Sequence, residues 1–245
     1  KRDQQARHVF CAESDEERDT WVDALTRQIG RAGKKSGPTV FGVPLEVSLE
    51  VAQIADLPAV VFRCMEFLEV KNGIQETLIY GSNGRSSIVD SLKNRFDLEG
   101  DVDLVASEEH YDPHDIASLL KAYLRELPTP ILTQDLHDDF LYAAATDDLQ
   151  EKIDELSQMI ASLPNANYSL IRALAAHLDL VVQNSHINKM RLSILEIYFT
   201  PTLKIPPELF RVMIEHFERV FRVAENEHGS VSGPKQSDED VGIAV

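Results

Sequence analysis

The sequence predicts an all-α domain, on three observations. Apolar residues recur at helical spacing in one segment after another from Phe41 to about Val223, clusters of Pro, Asn, Asp and Gly separate those segments, and no run among them alternates with period 2 as a half-buried strand would. The periodicity places helices over 58–71, 86–96, 114–127, 134–146, 149–163, 167–184, 189–198 and 207–222, so about eight or nine helices form the body of the chain. At 245 residues the length suits one domain of ~200 residues plus appendages.

The elements read in order as follows. Arg7 to Ala12 has the pattern of a short strand, and Ser14 followed by Glu17 makes a capping box for a helix carrying Trp21, Val22, Leu25 and Ile29 at helical spacing. A strand and one helix cannot bury a core alone, so residues 1–30 belong to a larger unit or dock as an amphipathic helix on the domain that follows. Residues 31–40 have the Gly, Ser, Pro and Lys content of a linker, and the domain boundary is set there. In helix 114–127, Ile116, Leu119, Leu120, Tyr123, Leu124 and Leu127 share a stripe of ~140°, with Lys121 and Arg125 one turn apart on the opposite face. That arrangement makes the stripe core and leaves both cations to face solvent or a partner. Pro128 and Pro130 forbid continuation of the helix. Residues 224–245 turn to Glu, Ser, Gly, Asp and Lys, the composition of an acidic disordered tail.

Composition excludes several functions. With 24 Lys+Arg against 41 Asp+Glu the net charge is -17, whereas nucleic-acid binding needs a basic stripe to displace counterions. The longest apolar runs fall far short of the ~18 residues of a membrane span, and two cysteines, Cys11 and Cys64, suit a reduced, cytoplasmic setting. His110 and His114 stand four apart beside Glu108 and Glu109, but Pro113 breaks the helix that would align the imidazoles, so no metal is expected. Gly81 to Arg85 lacks the Gly-Lys-Ser/Thr of a phosphate-binding loop, no nucleophile elbow supports a hydrolase triad, and no cofactor is expected. The acceptor-like Asn167-Tyr168-Ser169 falls at a helix start and is set aside.

The stretch Ala117-Ser-Leu-Leu-Lys-Ala-Tyr-Leu-Arg-Glu-Leu-Pro-Thr-Pro-Ile-Leu-Thr133 resembles the central motif of Rho GTPase-activating (RhoGAP) domains. Phe41-Gly-Val-Pro-Leu45, Leu57-Pro-Ala-Val-Val61, Gly100-Asp-Val-Asp-Leu104, Leu163-Pro-Asn-Ala-Asn167, Asn184-Ser185, Asn188-Lys-Met190 and Phe199-Thr-Pro-Thr-Leu203 fit the same pattern in the same order. The resemblance covers about residues 41–223. Residues 1–30, with Trp21, resemble the last strand and helix of a pleckstrin-homology (PH) domain, and the pair resembles fungal PH-RhoGAP regulators of polarity GTPases. It implies a RhoGAP-like helical fold and a partner, a GTP-bound Rho-family GTPase. It also implies a regulator that is not itself an enzyme, cytoplasmic, with recruitment to the plasma membrane or sites of polarised growth through phosphoinositide contact of the incomplete PH domain.

The resemblance also fixes what each position is expected to do. A GTPase-activating protein inserts an arginine finger worth ~10³–10⁵ in rate, from a Gly-Ile-Phe/Tyr-Arg-x-Ser-Gly loop. Aligned without gaps between Gly73 and Phe96, that loop places Gly81 at the finger; pairing Tyr80 with the aromatic deletes the finger tripeptide instead. Neither alignment supplies Arg. Arg85 lies four residues later, either as a weak substitute or as a solvated Arg at the start of helix 86–96, where the dipole gives a cation nothing. Four residues beyond Met190 the family usually has an Asn, and this chain has Ile194, which exchanges a polar contact for apolar surface. The carried-over GTPase-binding positions are Lys121, Arg125, Asn188, Lys189 and Pro201. Lys121 is expected to approach the GTPase, and Arg125 to brace the finger loop or meet the partner. Three functions remain open: a catalytic activator, a GAP-fold module that binds without speeding turnover, and an acidic helical scaffold for another partner.

Acidity is segregated. Residues 37–223 hold 15 basic and 29 acidic residues, and Asp97 to Asp115 has eight acids and no Lys or Arg, leaving the cations predicted to face a GTPase largely uncancelled.

Overall fold

A computed structural model describes residues 39–221, less the side chain of His137. The predicted strand and helix of residues 1–30, the linker before Thr39 and the tail at 224–245 lie outside the described residues.

The all-α expectation holds. The helices are α1 (Leu45–Val51), α2 (Ala59–Val70), α3 (Ser86–Glu99), α4 (Pro113–Glu126), α5 (His137–Ala145), α6 (Leu149–Ala161), α7 (Asn165–Gln183), α8 (Ser185–Asn188), α9 (Leu192–Leu203) and α10 (Pro207–Glu215). A 3₁₀ turn spans Gly73–Gln75. The described chain also holds one feature that the reading without strands missed: β1 (Gln53–Ile54) pairs antiparallel with β2 (Leu57–Pro58). Ala55 and Asp56 close this hairpin at φ 50° and 61°, the primed turn that suits strand twist, but without the Asn-Gly or Asp-Gly that would have signalled it.

Helix ends follow local chemistry. Asp112 caps α4 by accepting from the His114 N–H at 2.8 Å, with Pro113 in the first turn, where its missing N–H costs nothing. Asp148 caps α6 through the Glu151 N–H, also at 2.8 Å. The predicted helix 189–198 runs instead from 192 to 203, because Lys189 turns left-handed (φ 63°) and Pro201 is accommodated inside the helix. The predicted 207–222 is interrupted at His216 (φ -116°, ψ 32°), and residues 217–221 are helical again.

α4 is the central element, packed against α2, α3 and α9. Residues from Asp115 to Leu124 are buried on nearly every side, not on the ~140° stripe alone. Beyond it, Phe199 of α9 lies edge-on to Tyr80 (5.1 Å) and stacks on Phe210 of α10 (6.4 Å), joining the two sides of one core. Among the described residues no helix is long and apolar enough to cross a membrane.

Candidate functional site

The segment between the 3₁₀ turn and α3, residues 76–85, is irregular but fixed at both ends and in the middle. At its start the Leu78 N–H donates to the Asn188 carbonyl at 2.7 Å. At its centre Ile79 and Tyr80 are fully buried. The Tyr80 hydroxyl lies 2.6 Å from His177 Nε2, and His177 Nδ1 lies 2.7 Å from Glu69 Oε1. In the tautomer that satisfies both contacts of a neutral imidazole, Nδ1–H donates to the Glu69 carboxylate and Nε2 accepts from the Tyr80 O–H. Burial raises the Tyr80 pKa well above its ordinary value, which keeps that hydroxyl a donor.

At its end the loop lies directly on α4. The Gly84 N–H donates to Ser118 Oγ at 2.9 Å, and a Cβ on Gly84 would sit 2.5 to 2.7 Å from backbone atoms of His114 and Asp115, so only glycine fits. The Arg85 N–H donates to Asp115 Oδ1 at 2.6 Å, while its guanidinium reaches the same carboxylate through Nη2 (2.5 Å) and Nε (3.1 Å to Oδ2). Asp115 is 1% exposed and Arg85 59%. Arg85 is thus an exposed side chain with a buried partner. It is tied to the carboxylate that also accepts from its own N–H at the N-cap of α3, an anion where the helix dipole favours one.

Lys121 departs from its expected place. It is 5% exposed, its Nζ donates to the Tyr80 carbonyl at 2.5 Å, and it lies 5.4 Å from the centre of the Tyr198 ring. The expectation that it faces a partner is corrected: the loop and α9 close over the side of α4 that the apolar stripe left open. Burial, and then the Arg125 charge, lower its pKa. The loop brace expected of Arg125 is thus supplied by Lys121, and Arg125 is exposed.

The remaining predicted residues divide between interior and surface. Asn188 is fully buried, donating to Ile74 O (2.7 Å) and Val181 O (2.8 Å) and accepting from the Met190 N–H (2.7 Å), so it is a clamp and not an exposed contact. Lys189 is exposed, its Nζ on the His186 carbonyl at 2.8 Å, and Pro201 is exposed on α9. Ile194 is half-buried against the core. Gly81, the finger position of the gapless alignment, is half-buried; a Cβ there would lie 3.3 Å from Leu78 O and 3.6 Å from both Leu78 Cβ and Met190 Sδ. Sequence reasoning missed Asp115, Ser118, His177 and Glu69, whose partners lie 30 to 108 residues away. Only the polarity of Asp115 and Ser118 inside a strongly apolar helix could have drawn notice.

The loop's backbone is strained. Leu78 (φ 56°) and Tyr80 (φ 69°) occupy the left-handed region without glycine, as does the neighbouring Lys189. That costs about 1–2 kcal/mol per residue and persists where surroundings over-determine the conformation.

A chain with this helical arrangement around a braced loop is similar to known proteins. The profile of the RhoGAP domain matches residues 58–208. The chain belongs to the RhoGAP family. It is 35% identical over 222 residues to "Probable Rho-type GTPase-activating protein 2" of Schizosaccharomyces pombe, covering 89% of this chain and 17% of that protein. "GTPase-activating protein BEM3" of Saccharomyces cerevisiae is 34% identical over 218 residues, 79% of this chain and 19% of that protein. The chain thus spans less than a fifth of the length of these relatives. Human Rho GTPase activating protein 15 superposes with a TM-score of 0.71 at 22% identity, over 86% of this chain and all of that one, a likeness of fold. The BH domain of GRAF follows with a TM-score of 0.60 at 27% identity, over 67% and 93%.

Proposed function

We propose that this RhoGAP-family chain regulates a Rho-family GTPase by binding its GTP-bound form, without supplying an arginine to the reacting phosphate. Family membership supports the partner. One observation carries the mechanism: in the loop from Gly73 to Arg85 the single guanidinium is held at the loop's base by buried Asp115, while the finger position is Gly81. Stabilising a transferring phosphoryl needs a cation placed to within about an ångström, and an Arg tied 2.5 Å from a carboxylate is neutralised and directed elsewhere. The chain acts on this reading as a regulator and not as an enzyme in itself. The domain organisation expected from the sequence completes it: the end of a PH domain at 1–30, a linker at 31–40, the RhoGAP domain at 41–223 and a tail, with phosphoinositide contact supplied by the PH part.

Calorimetric titration of Rho-family GTPases loaded with a non-hydrolysable GTP analogue tests the partner. A Kd at or below the micromolar range for at least one of them is expected; no binding to any overturns the reading and leaves the acidic scaffold.

A further inference from the structure

The chain Tyr80–His177–Glu69 joins a fully buried hydroxyl to a carboxylate that reaches solvent. His177 is 2% exposed, whereas the Glu69 side chain is 40% exposed. A neutral ring satisfies every atom of the chain, with Nδ1–H on the carboxylate at 2.7 Å and Nε2 accepting from the hydroxyl at 2.6 Å. A second ring proton, arriving from solvent, must go to Nε2, and that nitrogen turns from acceptor to donor. Two donors then face each other. Among the described residues the Tyr80 hydroxyl has His177 as its one hydrogen-bond partner, so its own proton is stranded in a site without water access.

The groups around the chain favour the ring cation on one side and offer the hydroxyl no relief on the other. From α2, the Glu69 carboxylate pairs with an imidazolium at the distance it already holds. Cys64, also of α2, bears on the Tyr80 hydroxyl, but burial pushes its thiol up and keeps it neutral, and it makes no hydrogen bond to Tyr80. From α4, Lys121 is a donor on the Tyr80 carbonyl at 2.5 Å, with the Tyr198 ring 5.4 Å from its Nζ. From α9, Phe199 meets Tyr80 edge-on, and Glu196 is occupied by Arg211 of α10 at 2.9 Å.

Tyr80 is where the loop turns. Its backbone is left-handed (φ 69°), as is that of Leu78, and the Gly81 and Ser82 N–H groups close the turn on the Leu78 carbonyl at 2.8 and 3.0 Å. A strained turn persists only while its surroundings hold it, and the hydroxyl is one of those holds. We infer that Glu69, His177 and Tyr80 form a proton-operated latch: proton uptake by His177, paired with Glu69, releases the Tyr80 hydroxyl and loosens residues 78–82. The latch is a property of this chain alone and stands or falls independently of the GTPase partner.

Two NMR readings on the whole chain between pH 8 and 5.5 test it: ring ¹⁵N shifts for the protonation of His177, and hydrogen-exchange protection factors of the Gly81 and Ser82 amides for the loop. With one proton linked to opening, protection is expected to fall by up to about tenfold per pH unit, in step with ring protonation, while amides of α4 keep theirs. Tyr80→Phe leaves the ring in the core without the stranded proton, so protection at Gly81 and Ser82 loses its pH dependence. Glu69→Gln removes the anion that pairs with the imidazolium, so a lower pH is needed for the same loosening. The latch is refuted if His177 stays neutral down to pH 5.5, if it takes the proton with protection unchanged, or if the pH dependence survives Tyr80→Phe. Parallel loss of protection in α4 would mark general unfolding and refute it equally.

Discussion

Two irregular segments flank α3, and they are held in opposite ways. Residues 76–85 before it are fixed by groups removed from water: Lys121 on the Tyr80 carbonyl, Asp115 on Arg85, Asn188 beneath Leu78. Residues 100–112 after it carry most of the Asp97–Asp115 acid run; Val102 and Leu104 reach the core, and the charged side chains around them are paired at the surface. There Arg63 meets Asp101 (2.9 Å) and Asp103 (3.5 Å), and Arg95 meets the Tyr111 hydroxyl (2.9 Å), with the two aspartates 39% and 47% exposed. Buried partners leave unsatisfied groups behind when removed, whereas exposed ones are replaced by water and screened by salt. The first segment is therefore a rigid platform and the second a solvated acidic surface.

The comparison breaks most readily at Asn188. Asn188→Ala strips two carbonyls and one N–H of their partners in a dry site, and a loss of about 3 kcal/mol or more is expected in urea unfolding at unchanged m. Gly84→Ala comes next, at about 1–3 kcal/mol, because its Cβ must displace backbone of α4 or lift the loop. Faster hydrogen exchange at the Arg85 amide would report the lifting. On the acidic side Arg63→Ala is expected to cost only about 1 kcal/mol, shrinking further in 1 M salt; a salt-independent loss as large as that at Asn188 would erase the contrast.

The segments also respond to opposite ends of the pH range. Burial, and then Arg125, hold Lys121 below the ordinary lysine value, so between its folded pKa and ~10.4 the unfolded chain binds more protons and stability from this group rises with pH. The Ala106 N–H chiefly, and Arg63, hold Asp103 below the ordinary carboxylate range. Its contribution is present above the unfolded pKa and fades as pH falls through the folded one. Lys121→Met should flatten the alkaline rise and Asp103→Asn should soften the acid loss, each leaving the other limb intact in urea midpoints taken across pH.

Much of the platform's scaffold was legible and little of its bracing was. The apolar stripe and the closing prolines placed α4 to within one residue at each end. The same stripe misplaced Lys121, since periodicity on one helix says nothing of the loop and α9 that pack on its other side. The Tyr80–His177–Glu69 chain joins residues 97 and 108 apart in sequence, beyond any local pattern. Left-handed Leu78 and Tyr80 carry no glycine to announce them. The finger position, by contrast, is read from residue identity alone, since neither alignment of the loop supplies Arg, and the structure adds that Arg85 is paired with Asp115.

Single-turnover GTP hydrolysis by the bound Rho-family GTPase, with this chain at saturating concentration, tests the central claim most directly. The rate should stay within about threefold of the GTPase alone, and Gly81→Arg should raise it, since a Cβ at Gly81 meets only the Leu78 carbonyl closely, at 3.3 Å, and needs shifts of tenths of an ångström. An acceleration of ~10³ by the unsubstituted chain would show that a cation reaches the phosphate after all and would contradict the account.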